Sequence, residues 1–237
     1  SREDKPKQFS KLFSDKSLLE ETILRSKLIN NKCIIIGSSK NKKLIKNTCK
    51  GIKDVIFYFI FEEVAKNTTA AIFMGAKKAL EINEKSKVLI LSSDHYISNK
   101  VLFVKTIKKE KFFSNKYNWI LFGVKPTFPA TGYGYIKTNE LDECMEISEF
   151  IEKPKLSIAS EIYKKQGIFW NSGIFFGNAS KILKSINIYS KEIFIPCDNI
   201  WNNRKNESEL LIKKDDSKNV ISKSIDYSVI EKEGSLG

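Results

Sequence analysis

The chain has 237 residues, with 41 lysines and arginines against 28 acidic residues and a net charge of +13. That length suits a single α/β domain and buries a substantial core, and no apolar run approaches the ~18 residues of a membrane span. The polar start Ser1-Arg2-Glu3-Asp4-Lys5 carries no signal-peptide pattern, so a cytoplasmic protein with no membrane partner is expected. The positive charge is spread along the chain beside abundant asparagine and isoleucine, as codon bias in an AT-rich genome produces. It does not cluster with exposed aromatics, so no nucleic-acid partner is expected. A positive field also serves a phosphate-rich substrate. Cys33, Cys49, Cys144 and Cys197 are scattered, which argues against a disulfide framework or a zinc site.

In chain order, Ser17–Leu28 carries a helical stripe of Leu18, Leu19, Ile23, Leu24 and Leu28, with Asp15 or Ser17 as its cap. Lys32–Gly37 reads as a buried strand, residues 40–50 as a basic helix, and Val55–Phe61 as a second strand. Lys66–Ile82 is a helix opening on Asn67-Thr68-Thr69, which offers capping oxygens and free backbone N–H groups. Lys87–Leu91 is a third strand, Lys100–Phe113 a helix and Trp119–Val124 a fourth strand. Alternating strands and helices predict an open α/β sheet, mostly parallel in this half. Beyond Gly132 the pattern becomes richer in strand: Tyr133–Lys137, Met145–Ile151 and Ile168–Phe176, with a short helix near Leu156–Lys165. Lys181–Ile188, Ser190–Asn203 and Glu207–Lys213 read as helices, and Val220–Ser224 as a short strand.

Several segments break this patterning with polar or small residues. Leu89-Ile90-Leu91-Ser92-Ser93-Asp94-His95 ends an apolar strand in a carboxylate, where open α/β sheets gather ligands. An aspartate there can hold magnesium together with substrate phosphates, although taken by itself a turn cap is the better reading. Glu62, in the strand-to-helix connection, can accept from the N1 and N2 donors of guanine; taken by itself, that segment is better read as a plain capping turn. Arg2, Lys5 and Lys7 place three cations near Pro6 in a loop, suited to phosphates or simply to solvent. In Thr131-Gly132-Tyr133-Gly134-Tyr135, glycine admits a ligand to the backbone and tyrosine can pack on a sugar face. Glu152-Lys153-Pro154 offers a carboxylate for hydroxyls and an ammonium for a phosphate, and Asn171-Ser172-Gly173 an amide and a bare backbone. His95 is the one histidine and reads as a structural hydrogen-bonding residue.

These segments resemble the sugar-1-phosphate nucleotidylyltransferases, and within them the branch that uses mannose 1-phosphate and guanine nucleotides. The resemblance runs through Ser1-Arg2 with Pro6-Lys7-Gln8-Phe9, Glu62 with Lys66-Asn67-Thr68, Ser93-Asp94-His95, Thr131–Ile136, Phe150–Pro154, Trp170–Phe175, and Ser224-Ile225-Asp226-Tyr227 with Ile230-Glu231-Lys232. It implies a Rossmann-like open mixed sheet of the nucleotide-diphospho-sugar transferase type, forming one nucleotidylyltransferase domain over residues 1–237. The implied reaction joins GTP and mannose 1-phosphate into GDP-mannose and pyrophosphate, with Mg2+ as cofactor and no protein nucleophile. Asp94 would be the magnesium ligand, and Arg2 and Lys7 would hold the triphosphate. Glu62, Lys66, Asn67 and Thr68 would line the guanine pocket. Gly132, Tyr133, Glu152, Asn171 and Gly173 would hold mannose, Lys153 its phosphate, and Asp226 and Glu231 would stand at the rim.

The chain departs from the family pattern at both ends. It starts at Ser1, without the glycine-rich phosphate loop, and stops at Gly237, before a second metal-binding aspartate and the usual C-terminal portion. A fragment with weak or no turnover by itself is therefore expected. A sister enzyme for another base or sugar, or a non-catalytic sugar-nucleotide binder, remains an alternative, and a homo-oligomer is allowed.

Overall fold

The computed structural model describes residues 6–110, 113–139, 145–205 and 209–237. In chain order it contains α1 (Leu18–Lys27), β1 (Lys32–Ser38), α2 (Lys42–Lys50), β2 (Ile56–Glu62), α3 (Asn67–Ile82), β3 (Lys87–Ile90) and α4 (Lys100–Glu110). There follow β4 (Ile120–Val124), β5 (Tyr135–Thr138), β6 (Ile147–Ile151), α5 (Leu156–Ile162) and β7 (Ile168–Asn178). The last elements are α6 (Ala179–Tyr189), α7 (Lys191–Asn202), β8 (Glu209–Ile212) and α8 (Ile225–Ser228). Two compact units emerge, one built from Ser1–Ala65, Leu91–Lys111 and Asp198–Asn219, the other from Lys66–Ile90, Phe112–Cys197 and Val220–Gly237.

The first unit is a parallel sheet in the order β1-β2-β8. Its core joins Leu19 and Ile23 of α1 to Ile45 and Cys49 of α2 and Phe61 of β2. Helix α1 starts where the sequence says it should: Ser17 Oγ accepts from the Glu20 N–H at 3.2 Å, and Glu20 Oε2 accepts from the Ser17 N–H at 2.7 Å. This reciprocal capping box satisfies two backbone donors that the helix leaves open. Parallel strands running together bring the carboxyl ends of β1 and β2 side by side, with Glu62 in register with Ser38 and Ile212.

The second unit is organised around β7. Strands β3 and β5 pair with β7, β4 also pairs with it, and β6 pairs with β5, every pairing antiparallel. Two apolar clusters pack on this sheet, one around Tyr117, Ile120 and Phe176 and the other around Tyr135, Ala159 and Ile168. Among the described residues neither sheet closes into a barrel.

Three expectations change. Strands β3 and β4 do not continue a parallel ladder; the 11-residue β7 is long enough to pair with both, and its Phe175 and Phe176 lie in antiparallel register with each. The segment expected as a helix at Glu207–Lys213 contains β8, because Glu209-Leu210-Leu211-Ile212 pairs with Phe59–Glu62. The apolar run Leu210-Leu211-Ile212 is too short to show a period of its own, and tertiary pairing decides it. Val220–Ser224 forms no strand; its Lys223 carbonyl accepts from Thr69 instead. No helix among the described residues is long and apolar enough to cross a membrane.

Candidate active site

In the first unit two residues predicted from distant motifs meet. Lys7, on a 3-10 turn at Lys7–Phe9, donates from Nζ to Asp94 Oδ2 at 3.2 Å across 87 residues of sequence. Ser92 Oγ donates to Asp94 Oδ1 at 2.7 Å. Burial alone would raise the Asp94 carboxyl, but the Ser92 and Lys7 hydrogen bonds and the nearby positive charge hold it below the usual carboxylate range. Asp94 is therefore ionised at neutral pH. The Lys7–Asp94 side chains are 58% and 35% exposed, so the pair is worth under about 1 kcal/mol to folding. What the pairing sets up is a cation and an anion in one exposed place, suited to a phosphate chain and its counter-ion.

The segments carrying these two residues are fastened together. The Phe13 and Tyr96 rings stack at 4.1 Å with 24° between planes. Glu21, nearly buried, pairs with Lys100 at 2.6 Å and accepts from Ser14 Oγ at 2.9 Å. Burial pushes His95 below its ordinary value, with Asp94 opposing and Arg25 and Lys7 adding to the effect; a neutral, half-buried imidazole fits the structural role read from the sequence. Glu62 is buried at the end of β2.

The donor set at Asp94 suits magnesium, which binds through one or two carboxylates plus substrate phosphates. Among the described residues no group of three or more His, Cys, Asp or Glu side chains could hold a metal. An ion at Asp94 would thus depend on ligands that the nucleotide brings. Burial pushes the thiols of Cys33 and Cys49 up to about 12 and about 11, which removes both as nucleophiles.

In the second unit Glu152, Lys153, Asn171, Gly173 and Asp226 form one hydrogen-bonded and charged cluster. Lys153 Nζ pairs with Glu152 Oε1 at 2.8 Å, the glutamate side chain 4% exposed and the lysine 49%. That contact, more than any other, raises the lysine above its ordinary value. Asn171 donates from Nδ2 to Asp226 Oδ1 at 2.9 Å, while its Oδ1 accepts from the Gly173 N–H at 3.0 Å. Burial, then the neighbouring Glu152 charge, pushes the Asp226 carboxyl up. Gly173 has φ +69, a left-handed conformation that glycine alone adopts cheaply. Lys153 itself sits at φ 44 and Asn67 at φ 65, as does Asp54 at φ 58 outside the candidate site; each costs on the order of 1–3 kcal/mol.

Of the two glycines in the 131–135 segment, the close approach belongs to Gly134. A Cβ there would lie 2.6 Å from Glu152 Oε2 and 2.9 Å from the Phe150 ring, whereas one on Gly132 would meet nothing within 4 Å. The motif points first to Gly132, which is exposed; Gly134 is buried beside Tyr135, and nothing in the turn's own sequence marks it out. Tyr133 is half exposed, with its ring edge-on to Trp170 at 5.3 Å.

The Asn67–Thr69 turn is less open than expected. Asn67 Oδ1 accepts from the Thr68 N–H at 2.8 Å, and the Thr69 N–H donates to the Lys223 carbonyl at 3.3 Å. These two donors are therefore already satisfied. Thr68 Oγ1 accepts from the Ile225 N–H at 2.8 Å. Thr69, read from the sequence only as part of the helix opening, is fully buried in the same network. Lys66 precedes the turn without a capping bond. Arg2 lies outside the described residues.

A family profile for nucleotidyl transferases matches residues 1–216, and the chain belongs to that family. It is 31% identical over 237 residues to a mannose-1-phosphate guanylyltransferase of Salmonella muenchen, aligning 98% of this chain with 50% of that one. The chain thus spans about half the length of the curated relatives it matches. A crystal structure of a mannose-6-phosphate isomerase from Helicobacter pylori superposes with a TM-score of 0.88 at 28% identity, covering 98% of this chain and 90% of that one. A structure from Thermus thermophilus, described as a mannose-1-phosphate geranyltransferase, shares the fold with a TM-score of 0.83 at 22% identity, covering 100% of this chain and 67% of that one. The open, mixed α/β architecture is that of the nucleotide-diphospho-sugar transferases.

Proposed function

We propose that the protein is a mannose-1-phosphate guanylyltransferase, working as one nucleotidylyltransferase domain and joining GTP to mannose 1-phosphate with release of pyrophosphate. The observation that carries this reading is the pairing of Lys7 with ionised Asp94, which the resemblance assigns to the triphosphate and its metal. The Glu152–Lys153–Asn171–Asp226 cluster supports the sugar-phosphate half.

In this mechanism a phosphate oxygen of mannose 1-phosphate forms a bond to the α-phosphorus of GTP while the bond to the departing pyrophosphate breaks in line. No protein nucleophile takes part; the chain's contribution is positioning and charge. Lys153 carries the sugar phosphate, exchanging its ammonium from Glu152 to the phosphate oxygens. Glu152, released from that contact, accepts from sugar hydroxyls, and the Asn171 amide and the bare backbone at Gly173 read others. Lys7 leaves Asp94 for the triphosphate, and Arg2 adds a bidentate donor. Glu62 accepts from the guanine edge, with Lys66, Asn67 and Thr68 beside the base. Mg2+, held by Asp94 and the nucleotide phosphates, would neutralise charge on the triphosphate.

The test is product formation from GTP, UTP, dTTP or ATP, each offered with mannose 1-phosphate and Mg2+. Any turnover, expected to be weak for this chain by itself, should give GDP-mannose and stoichiometric pyrophosphate from GTP, with the other bases poorer by at least about tenfold. Turnover with UTP in preference to GTP would move the chain to a sister enzyme.

A further inference from the structure

Helix α8 spans four residues, too few to hold a helical turn by its own hydrogen bonds. Its position is set by contacts from several segments distant in sequence, all in the second unit, among them a hydrogen bond from Ser190 Oγ to the Ser228 carbonyl at 3.0 Å. From the start of α3, Thr68 Oγ1 accepts from the Ile225 N–H at 2.8 Å. Thr69 Oγ1 donates to the Lys223 carbonyl at 2.8 Å and lies 2.6 Å from Ser228 Oγ. From β7, the Asn171 amide donates to Asp226 Oδ1 at 2.9 Å and accepts from the Gly173 N–H at 3.0 Å. The Lys153 ammonium stands 5.7 Å from the centre of the Tyr227 ring.

We infer that α8 is a brace between the Asn67–Thr69 turn and the Asn171–Gly173 turn: Thr69 fixes the helix, and Asp226, carried on it, orients the Asn171 amide. Asp226 and Thr69 are then positioning residues. Neither needs to touch a ligand; both act through Asn171. The Asn171 amide has one oxygen and one NH2 group, and with Asp226 and Gly173 as fixed partners its flip state is determined, leaving its second N–H for a sugar hydroxyl. A disturbance at the turn assigned to the base is felt at the turn assigned to the sugar, a coupling between the two. The brace stands on hydrogen bonds alone; its consequence for the sugar rests on the proposed function.

Two readouts keep those apart. Amide hydrogen exchange at Gly173 is measured in the wild type, in Thr69→Val and in Thr69→Ser. The valine variant, which keeps the shape but loses the hydroxyl, is expected to speed Gly173 exchange about tenfold, and serine to restore it. Asp226→Ala works from the opposite side and is expected to speed exchange at the Ile225 amide. Unchanged exchange at Gly173 in folded Thr69→Val, or at Ile225 in Asp226→Ala, overturns the brace. In calorimetry with mannose 1-phosphate, both Thr69→Val and Asp226→Ala are expected to bind about tenfold more weakly than the wild type. Wild-type affinity in both variants overturns the positioning role. A wild type that binds no mannose 1-phosphate counts against the proposed function, and the exchange result still decides the brace.

Discussion

Asp94→Asn is expected to abolish the metal dependence of GTP binding. The wild-type carboxylate is ionised because Ser92 and Lys7 hold it so. Asparagine keeps its size and can still accept from Ser92, but it offers no charge to a cation. Calorimetric titration with GTP should show tighter binding by the wild type when Mg2+ is present. The variant is expected to lose about 10–100-fold in affinity for the magnesium complex, the scale of one charged contact. Metal-free GTP should bind the variant at least as well as the wild type, since Lys7 is released from its 3.2 Å pairing. Equal affinity of both proteins for the magnesium complex would remove Asp94 from the metal site. A variant weakened alike with and without Mg2+ would mean that Asp94 positions Lys7 and holds no metal.

The second large effect is expected at Lys153. Its ammonium rests on Glu152 at 2.8 Å with half of the side chain in solvent, placed to move to an arriving phosphate. Lys153→Met keeps the aliphatic stem and removes the charge. Affinity for mannose 1-phosphate is expected to fall about 10–100-fold, while affinity for free mannose stays as it was, because the lost contact is to the phosphate. The substitution also leaves a 4% exposed carboxylate at Glu152 without its cation, which costs stability, so the melting temperature is recorded alongside. Lys153→Arg restores the charge and serves as the control. Equal losses for mannose and mannose 1-phosphate would assign Lys153 to the support of Glu152 alone.

The elements with a clear period or cap were legible in the sequence. Leu18, Leu19 and Ile23 of the α1 stripe, Ser17 as one of the two caps read for it, and the apolar runs of β1 and β2 stand where they were read, whereas Leu28 falls past the helix end and is exposed. Strand β8 was not legible, because Glu209-Leu210-Leu211-Ile212 becomes a strand only by pairing with Phe59–Glu62. Nor could periodicity show that β3 and β4 both lie antiparallel to β7, since a strand's direction in a sheet is a property of its neighbours. At the site, the types of side chain were legible and their partners were not. Lys7 and Asp94 are 87 residues apart, and nothing local joins them. Asp226, read as a residue at the rim, proves to be the hydrogen-bond partner of Asn171. Thr69 looked like one of two adjacent threonines at a helix start; only contacts with Lys223 and Ser228 reveal its place. The need for glycine at Gly134 arises from Glu152, 18 positions further along the numbering, and cannot be read from the turn itself.

The most direct measurement is calorimetric binding of GDP-mannose, the compound that carries both the guanine nucleotide and the mannose, compared with GDP and with UDP-glucose. GDP-mannose is expected to bind more tightly than GDP by about tenfold or more, the contribution of the mannose-facing residues, and UDP-glucose to bind far more weakly than either. UDP-glucose binding as tightly as GDP-mannose, or GDP binding as tightly as GDP-mannose, would contradict the assignment of a guanine nucleotide and a mannose to this chain.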